Sequence, residues 1–465
     1  MENYQYFLDK SGIDFKQYQY DGVEWCLNRE TVQLKQGKNN NIAEGFTHGG
    51  IIADEMGLGK TIMMIATFVV HFVPKTLIVL PNILLDQWRT EILRTTGHQV
   101  LIYHGKNKKN ITLDMLNDDT KPIIVLTTYH TILYSNSKTL SLLHDIEWNR
   151  IVFDEAHHLR NKTSIYHGAK MLRSDIRWLI TGTPIQNREK DLFRLYSILN
   201  IPKPYYSNKT NNKKILLQNI VLKRSKKDVG ILLPKLNIDS QSIFWEEFNE
   251  RTLSEHIHQA IPIARPTDKL KLFTRARQSC ILSSLLKSDL SNMINQNMIP
   301  DKGTSYSLAV QAASKIHAVV ASVLANKGNG KGKLIFCHFR DEIDSIVILL
   351  RQGGISTICA FDGRLSQTDR FQKLKEDFEV IVLQIQTGCE GLNLQKNFSE
   401  IYFVSPHWNP AVEDQAIARC HRIGQTKQVN VFRFYMDNFI GEEETLDNYI
   451  LSVQKKKREI CNSAF

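Results

Sequence analysis

Cysteine is scarce and unpaired in this chain of 465 residues. Its seven cysteines, at 26, 280, 337, 359, 389, 420 and 461, include no Cys-x-x-Cys spacing. That excludes a zinc-binding module and points to a reducing compartment. Long apolar runs are missing as well. The longest apolar pieces, such as Ile62 to Val73, are too short to cross a bilayer, so no membrane partner is expected. The start, Met1-Glu2-Asn3-Tyr4-Gln5, has neither a basic opening nor an apolar run behind it, and it reads as an intracellular protein without a signal peptide. No repeat recurs at solenoid spacing, and low complexity is confined to Asn/Lys patches at 105–110 and 208–214, expected to be surface loops. What remains is an ordered, basic composition: 42% hydrophobic residues, a net charge of +11 and a pI of 9.1. The length accommodates two or three domains, and the charge suits a polyanionic partner.

The stretch Ile51-Ile52-Ala53-Asp54-Glu55-Met56-Gly57-Leu58-Gly59-Lys60-Thr61 reads as a buried strand, a phosphate-cradling loop and a helix start. Gly57 and Gly59 let backbone N–H groups close on phosphate oxygens, Lys60 brings a positive charge, and the Thr61 hydroxyl is placed to hold Mg²⁺. Asp54 stands where the usual pattern has its first glycine, which leaves a solvated Gly-rich turn open as the alternative. About a hundred residues on, Arg150-Ile151-Val152-Phe153 ends in Asp154-Glu155-Ala156-His157. Adjacent carboxylates at a strand's end suit ATP hydrolysis, Asp154 holding Mg²⁺ through water and Glu155 polarising the attacking water. A third block, Trp178 to Asn187, is a strand running into the polar turn Thr181-Gly182-Thr183-Pro184. In a fourth, Arg419 and Arg422 stand three apart, so on a helix they would share one face and reach a γ-phosphate. The alternative for that block is a solvated basic helix face.

Taken in order, these blocks resemble the Swi/Snf-type ATPases, a branch of the superfamily-two helicases. The resemblance runs from Phe15-Lys16-Gln17-Tyr18-Gln19, through Leu77-Ile78-Val79-Leu80-Pro81 with Gln87-Trp88, Lys223-Arg224-Ser225-Lys226-Lys227-Asp228-Val229 and Leu233-Pro234-Lys235, to Trp408-Asn409-Pro410 and His421-Arg422-Ile423-Gly424-Gln425. It covers nearly the whole chain. It implies that Asp54 is the usual residue at its position, that Gln19 reads the adenine edge, and that Asn187, Arg340, Thr387, Asn393 and Trp408 line a nucleic-acid groove. Trp408, between Pro406 and Pro410, is equally readable as a core aromatic. The chain departs from the family where Thr387-Gly388-Cys389-Glu390-Gly391 replaces a run richer in glycine, which would weaken coupling between DNA and ATP. A milder departure is Ser405-Pro406-His407 ahead of Trp408.

Alternating strands and helices predict an α/β protein with two doubly wound parallel-sheet lobes, which the resemblance implies are RecA-like. The expected divisions are an ATP-binding lobe at 1–201, helical insertions and a linker at 202–332, a second lobe at 333–440 and a brace helix at 441–465. Strands are expected at 77–80, 123–127, 151–153 and 179–181, then at 333–337, 355–359, 380–384, 401–404 and 429–434. The resemblance implies an ATP- and Mg²⁺-using monomer that steps along double-stranded DNA and acts on chromatin or transcription proteins in the nucleus. A strand-separating DNA or RNA helicase is the near alternative, and a catalytically inactive DNA-binding scaffold the distant one. The basic run Lys455-Lys456-Lys457-Arg458 reads either as a nuclear import signal or as a solvated helix end.

Overall fold

The computed structural model describes residues 2–31, 47–118, 120–134, 140–207, 212–364, 373, 376–388, 393–441 and 443–464. The chain divides into two compact units, Met1–Leu232 with Glu459–Phe465, and Leu233–Arg458.

The first unit is built on seven strands: β1 (His48–Ile52), β2 (Lys75–Leu80), β3 (Leu101–Tyr103), β4 (Ile123–Thr128), β5 (Glu147–Asp154), β6 (Arg173–Ile180) and β7 (Val221–Leu222). They lie in the order β3-β4-β2-β5-β6-β1-β7, every pair parallel. Because side chains alternate across a strand, successive apolar residues feed two different cores. Ile51, Leu77, Val79, Val125, Ile151, Phe153 and Leu179 pack on one face. Ile52, Ile78, Leu80, Leu126, Val152, Trp178 and Ile180 pack on the other. Helix Lys60–Val70 covers the second face, and its run Met63-Met64-Ile65-Ala66 is fully buried because sheet and neighbouring helices surround it. Met63, Met64 and Ile65 each contribute ~1.5–3 kcal/mol by leaving water.

The second unit carries β8 (Leu236–Ile243), β9 (Gly332–Cys337), β10 (Ile358–Phe361), β11 (Val380–Gln384), β12 (Phe398–Phe403) and β13 (Val429–Met436), ordered β10-β11-β9-β12-β13-β8 and again all parallel. Leu334, Phe336, Ile381, Leu383, Ile401 and Phe403 face one core, and Ile335, Cys337, Val380, Val382 and Tyr402 the other. A third core joins helices Phe248–Ile263 and Pro266–Ile281 to the start of helix Leu446–Ala464. The chain is thus α/β with two doubly wound parallel sheets. Three strands depart from the sequence reading: β3 is absent from it, and β7 and β8 lie within the stretch expected to be helical, β8 pairing with β13 along its whole length. Its polar sequence Leu-Asn-Ile-Asp-Ser-Gln-Ser-Ile suits an edge position, where one side has no neighbouring strand.

The basic run near the C-terminus is part of helix Leu446–Ala464. Lys457 donates to the Trp408 carbonyl at 2.7 Å and Arg458 forks onto Asp414 at 2.9 Å, while Lys455 and Lys456 are exposed.

Candidate active site

In open parallel sheets, ligands bind beyond the carboxyl ends of the strands, where helix N-termini and loops converge. The register of the first sheet pairs Ile52 with Ile180 and Ile180 with Asp154. The loop after β1, the turn after β6 and the acidic pair ending β5 therefore leave the sheet at one level.

From β1 the chain passes through Ala53 to Gly59 into the helix that opens with Lys60 and Thr61. Gly57 and Gly59 have φ of 91° and 85°, backbone that side-chain-bearing residues adopt only at a cost. A Cβ on Gly59 would stand 2.4 Å from Gln19 Nε2. Gln19 therefore lies directly against the loop. Its Nε2 donates to the Leu58 carbonyl at 3.2 Å, while its buried Oε1 has no hydrogen-bond partner among the described residues. Lys60 Nζ donates to the Asp54 carbonyl at 2.8 Å, and a Cβ on Gly182 would lie 3.7 Å from the same Nζ. Thr61 is half-buried in the first helical turn, with Met56 half-buried and Leu58 fully buried in the loop.

The carboxylates of Asp54 and Glu55 are committed elsewhere. Asp54, fully buried, accepts from Arg224 through the backbone N at 3.0 Å, Nε at 3.1 Å and Nη2 at 2.6 Å. Glu55 accepts from the Lys226 backbone N at 2.8 Å and Nζ at 2.6 Å. The segment after β7 runs alongside the loop, since Ala53 N donates to the Leu222 carbonyl at 2.7 Å and Glu55 N to the Arg224 carbonyl at 2.9 Å. Sequence reasoning singled out the block containing Arg224 and Lys226 without giving it a role.

Asp154 is buried at the end of β5. Its Oδ2 accepts from the Trp88 indole Nε1 at 2.7 Å and its Oδ1 from the Glu155 backbone N at 2.9 Å. Burial, then the neighbouring Glu155 charge, push its carboxyl up to about 7. Glu155 has φ of 49°, in the left-handed region, where a non-glycine residue costs ~1–3 kcal/mol. That turn directs its side chain away from the line of the strand, and Oε2 comes within 3.1 Å of His157 Nδ1. Burial, reinforced by the His157 charge, lowers His158 to about 4. After β6, Thr183 N donates to Thr181 Oγ1 at 3.2 Å. Asp191 Oδ2 gathers the backbone N–H groups of Gln186, Asn187 and Arg188 at 3.1, 2.8 and 3.2 Å. Asn187 thus sits half-buried in a turn held from below.

In the second unit the expected shared helix face is corrected. The helix before the arginines, Pro410–Ile417, ends ahead of both, and Arg419 and Arg422 occupy the irregular turn that follows. The turn is closed by Cys420 N on the Ile417 carbonyl at 3.0 Å and opened further by Gly424 at φ 91°. The two remain electrostatic neighbours: burial, then the Arg419 charge, lowers Arg422. Arg422 also hydrogen-bonds Asn393 Oδ1, and Arg419 Nε is buried without a hydrogen-bond partner among the described residues. Arg340 is exposed at the first position of helix Arg340–Gln352, its guanidinium against Gly363. Trp408 is half-buried, edge-on to Phe273 and Tyr449 with ring centroids 6.0 and 6.1 Å away. The side chain of Thr387 and the departure at Cys389-Glu390 lie outside the described residues.

Comparison with known proteins adds to this geometry. A model of the SNF2-related domain matches residues 18–258, and one of the helicase conserved C-terminal domain matches residues 314–424. The chain is 29% identical to a probable global transactivator of Orgyia pseudotsugata multicapsid polyhedrosis virus, over 97% of this chain and 91% of the viral protein. It is 25% identical to the DNA repair protein RAD5B of Arabidopsis thaliana over 91% of this chain, but spans only 46% of that longer protein. Among solved structures, the Sulfolobus solfataricus SWI2/SNF2 ATPase core in complex with dsDNA is similar over 97% of this chain and 95% of that one, at 23% identity and a TM-score of 0.41. With the SNF2-related model covering more than half its length, this chain belongs to the SNF2-related family and is a helicase-like, DNA-dependent ATPase.

Proposed function

We propose that the chain couples ATP hydrolysis to movement along double-stranded DNA, displacing or remodelling bound proteins and so regulating transcription in the nucleus. The observation that carries this reading is the shared level at which the Lys60 loop, the Thr181 turn and the Asp154-Glu155 pair leave one parallel sheet. A purine triphosphate fits there. The loop has no side chain at the two left-handed glycines, and the orphaned Gln19 Oε1 suits an amino-group donor such as the adenine edge, with Nε2 free to exchange its carbonyl partner for a ring nitrogen.

In this reading Gly57, Leu58 and Gly59 offer backbone N–H groups to the phosphates and Lys60 neutralises the outer ones. Thr61 and Asp154 would hold Mg²⁺, which would supply positive charge to neutralise the phosphates. Glu155, turned off the strand axis, orients and polarises the attacking water. Arg419 and Arg422 stabilise the charge that develops on the γ-phosphate when the lobes close, so that hydrolysis waits on a domain motion. Arg340, Asn187 and Thr387 bond the DNA backbone, Asn393 lines the same groove, and Trp408 stacks or wedges there. DNA that favours the closed pose stimulates turnover through its differential affinity for that pose.

The deciding experiment measures ATPase rates with no nucleic acid, duplex DNA, single-stranded DNA and RNA. Duplex DNA is expected to stimulate most; greater stimulation by RNA or single strands would remove the duplex assignment. Lys60→Ala and Glu155→Gln should both lack turnover, and Glu155→Gln should still bind ATP. Lost nucleotide affinity in that variant would count against the role given to Glu155.

A further inference from the structure

Arg224 makes contacts that a loop-stabilising residue alone would not need. Its backbone N, Nε and Nη2 all serve the buried carboxylate of Asp54, at the opening of the phosphate loop. Its remaining terminal nitrogen, Nη1, donates to the carbonyl of Tyr18 at 2.6 Å, one residue before Gln19. The guanidinium carbon lies 6.0 Å from the Tyr18 ring centroid. A Cβ on Gly22 would fall 2.9 Å from Arg224 Nη2, so the helix Gln17–Thr31 approaches this side chain closely as well. One rigid planar group therefore spans the two elements that, on the reading above, recognise opposite ends of the nucleotide.

We propose that Arg224 is a positioning residue that fixes the spacing between the base-reading Gln19 and the phosphate loop, and so sets the preference for adenine nucleotides. The proposal rests on the assignment of Gln19 to the base. Its physical basis is the fork geometry of guanidinium. Five N–H donors in one plane can hold a carboxylate with one edge and a carbonyl with the other, which the single ammonium of lysine cannot. A polar site rejects the wrong base only when its donor and acceptor meet that base at hydrogen-bonding distance. With the phosphates seated in the loop, that distance depends on how far Gln19 stands from Asp54. Guanine would turn a carbonyl oxygen toward Gln19 Oε1 where adenine turns an amino group, and only a fixed spacing makes the repulsion count. Lys226, bound to Glu55 by two hydrogen bonds, holds the other side of the loop.

The test uses the full chain with duplex DNA, comparing kcat and KM for ATP and GTP in wild type, Arg224→Lys, Asp54→Asn and Gln19→Ala. Arg224→Lys is expected to raise KM for ATP about tenfold, to leave kcat within about threefold, and to reduce the ATP-over-GTP ratio of kcat/KM about tenfold. Loss of folded enzyme would lower kcat for both nucleotides alike and leave that ratio intact. Asp54→Asn, which keeps the shape and removes the charge, is expected to move the ratio in the same direction, and it decides the question if Arg224→Lys unfolds at the assay temperature. Combining Gln19→Ala with Arg224→Lys should reduce the ratio no further than Gln19→Ala alone. An unchanged ratio in Arg224→Lys and Asp54→Asn, while Gln19→Ala loses it, overturns the role of Arg224 and leaves the base assignment standing. A ratio unaffected by Gln19→Ala overturns the base assignment, and the spacing role with it.

Discussion

Trp88 buries its indole to within 1% of full exclusion from water and spends its only donor on Asp154 Oδ2. Replacing it with phenylalanine preserves most of the apolar contact but strands a buried carboxylate oxygen, which costs ~1–3 kcal/mol. Trp88→Phe should therefore lower the thermal midpoint and shift the Mg²⁺ dependence of ATPase activity to higher concentration; a variant with an unchanged Mg²⁺ titration would show that Asp154 needs no such support. Gly59→Ala is expected to abolish ATP binding in a folded protein. Its φ of 85° is strained for alanine, and the new methyl would collide with Gln19; ATP affinity measured by titration checks this. The placement of Lys60 behind a glycine loop and of Asp154 at a strand end was legible in the sequence because it is local to short runs of residues. The destination of Asp54 was not. Its partner Arg224 lies 170 residues away, and nothing in the order of residues says which cation will reach a buried carboxylate.

The longer apolar strands lie where the alternation put them, as in Val380–Gln384, whereas the short Leu101–Tyr103 and Val221–Leu222 and the polar edge strand Leu236–Ile243 were hidden, and the strand expected at 355–359 runs from Ile358 to Phe361. The turn after Ile417 was hidden for a related reason: Arg419 N and Cys420 N bond carbonyls three residues back rather than four, which closes off the α-helix, and the spacing of the arginines does not reveal it. The start of helix Leu446–Ala464 carries a pH prediction. His258 is buried, its Nδ1 donates to the Ser254 carbonyl at 2.7 Å and its Nε2 accepts from Leu446 N at 2.9 Å. Burial holds it down at about 4 against an ordinary 6.5, with Asp447 and Glu443 pulling weakly the other way. Between those values the unfolded chain takes up a proton that the folded chain refuses. The stability it confers is full above pH 6.5 and is lost as pH falls toward 4. His258→Gln should be less stable than wild type at pH 7.5, and the gap should narrow as pH falls through 6 to 4.5. Thermal unfolding across that range checks it, and a gap independent of pH would contradict the buried neutral imidazole.

For the whole molecule, the expected outcome of Arg422→Ala is loss of ATP turnover with duplex DNA binding retained, since that side chain is assigned to the γ-phosphate and not to the groove. Duplex affinity itself should fall steeply with salt, as backbone neutralisation by basic residues requires; a flat salt response would remove DNA from the substrates. On a triplex the wild type should displace the third strand with ATP, yet leave a plain fork largely paired. The second sheet has one further consequence, in the order of synthesis. Its edge strand, Leu236–Ile243, is hydrogen-bonded to Val429–Met436, a partner that emerges from the ribosome about 190 residues later, or roughly 10–40 s at ordinary translation rates. Through that interval the strand has polar side chains and no neighbour. Its Asn, Asp, Ser and Gln residues keep a waiting edge soluble, so the composition that hid this strand from sequence reading also protects the nascent chain.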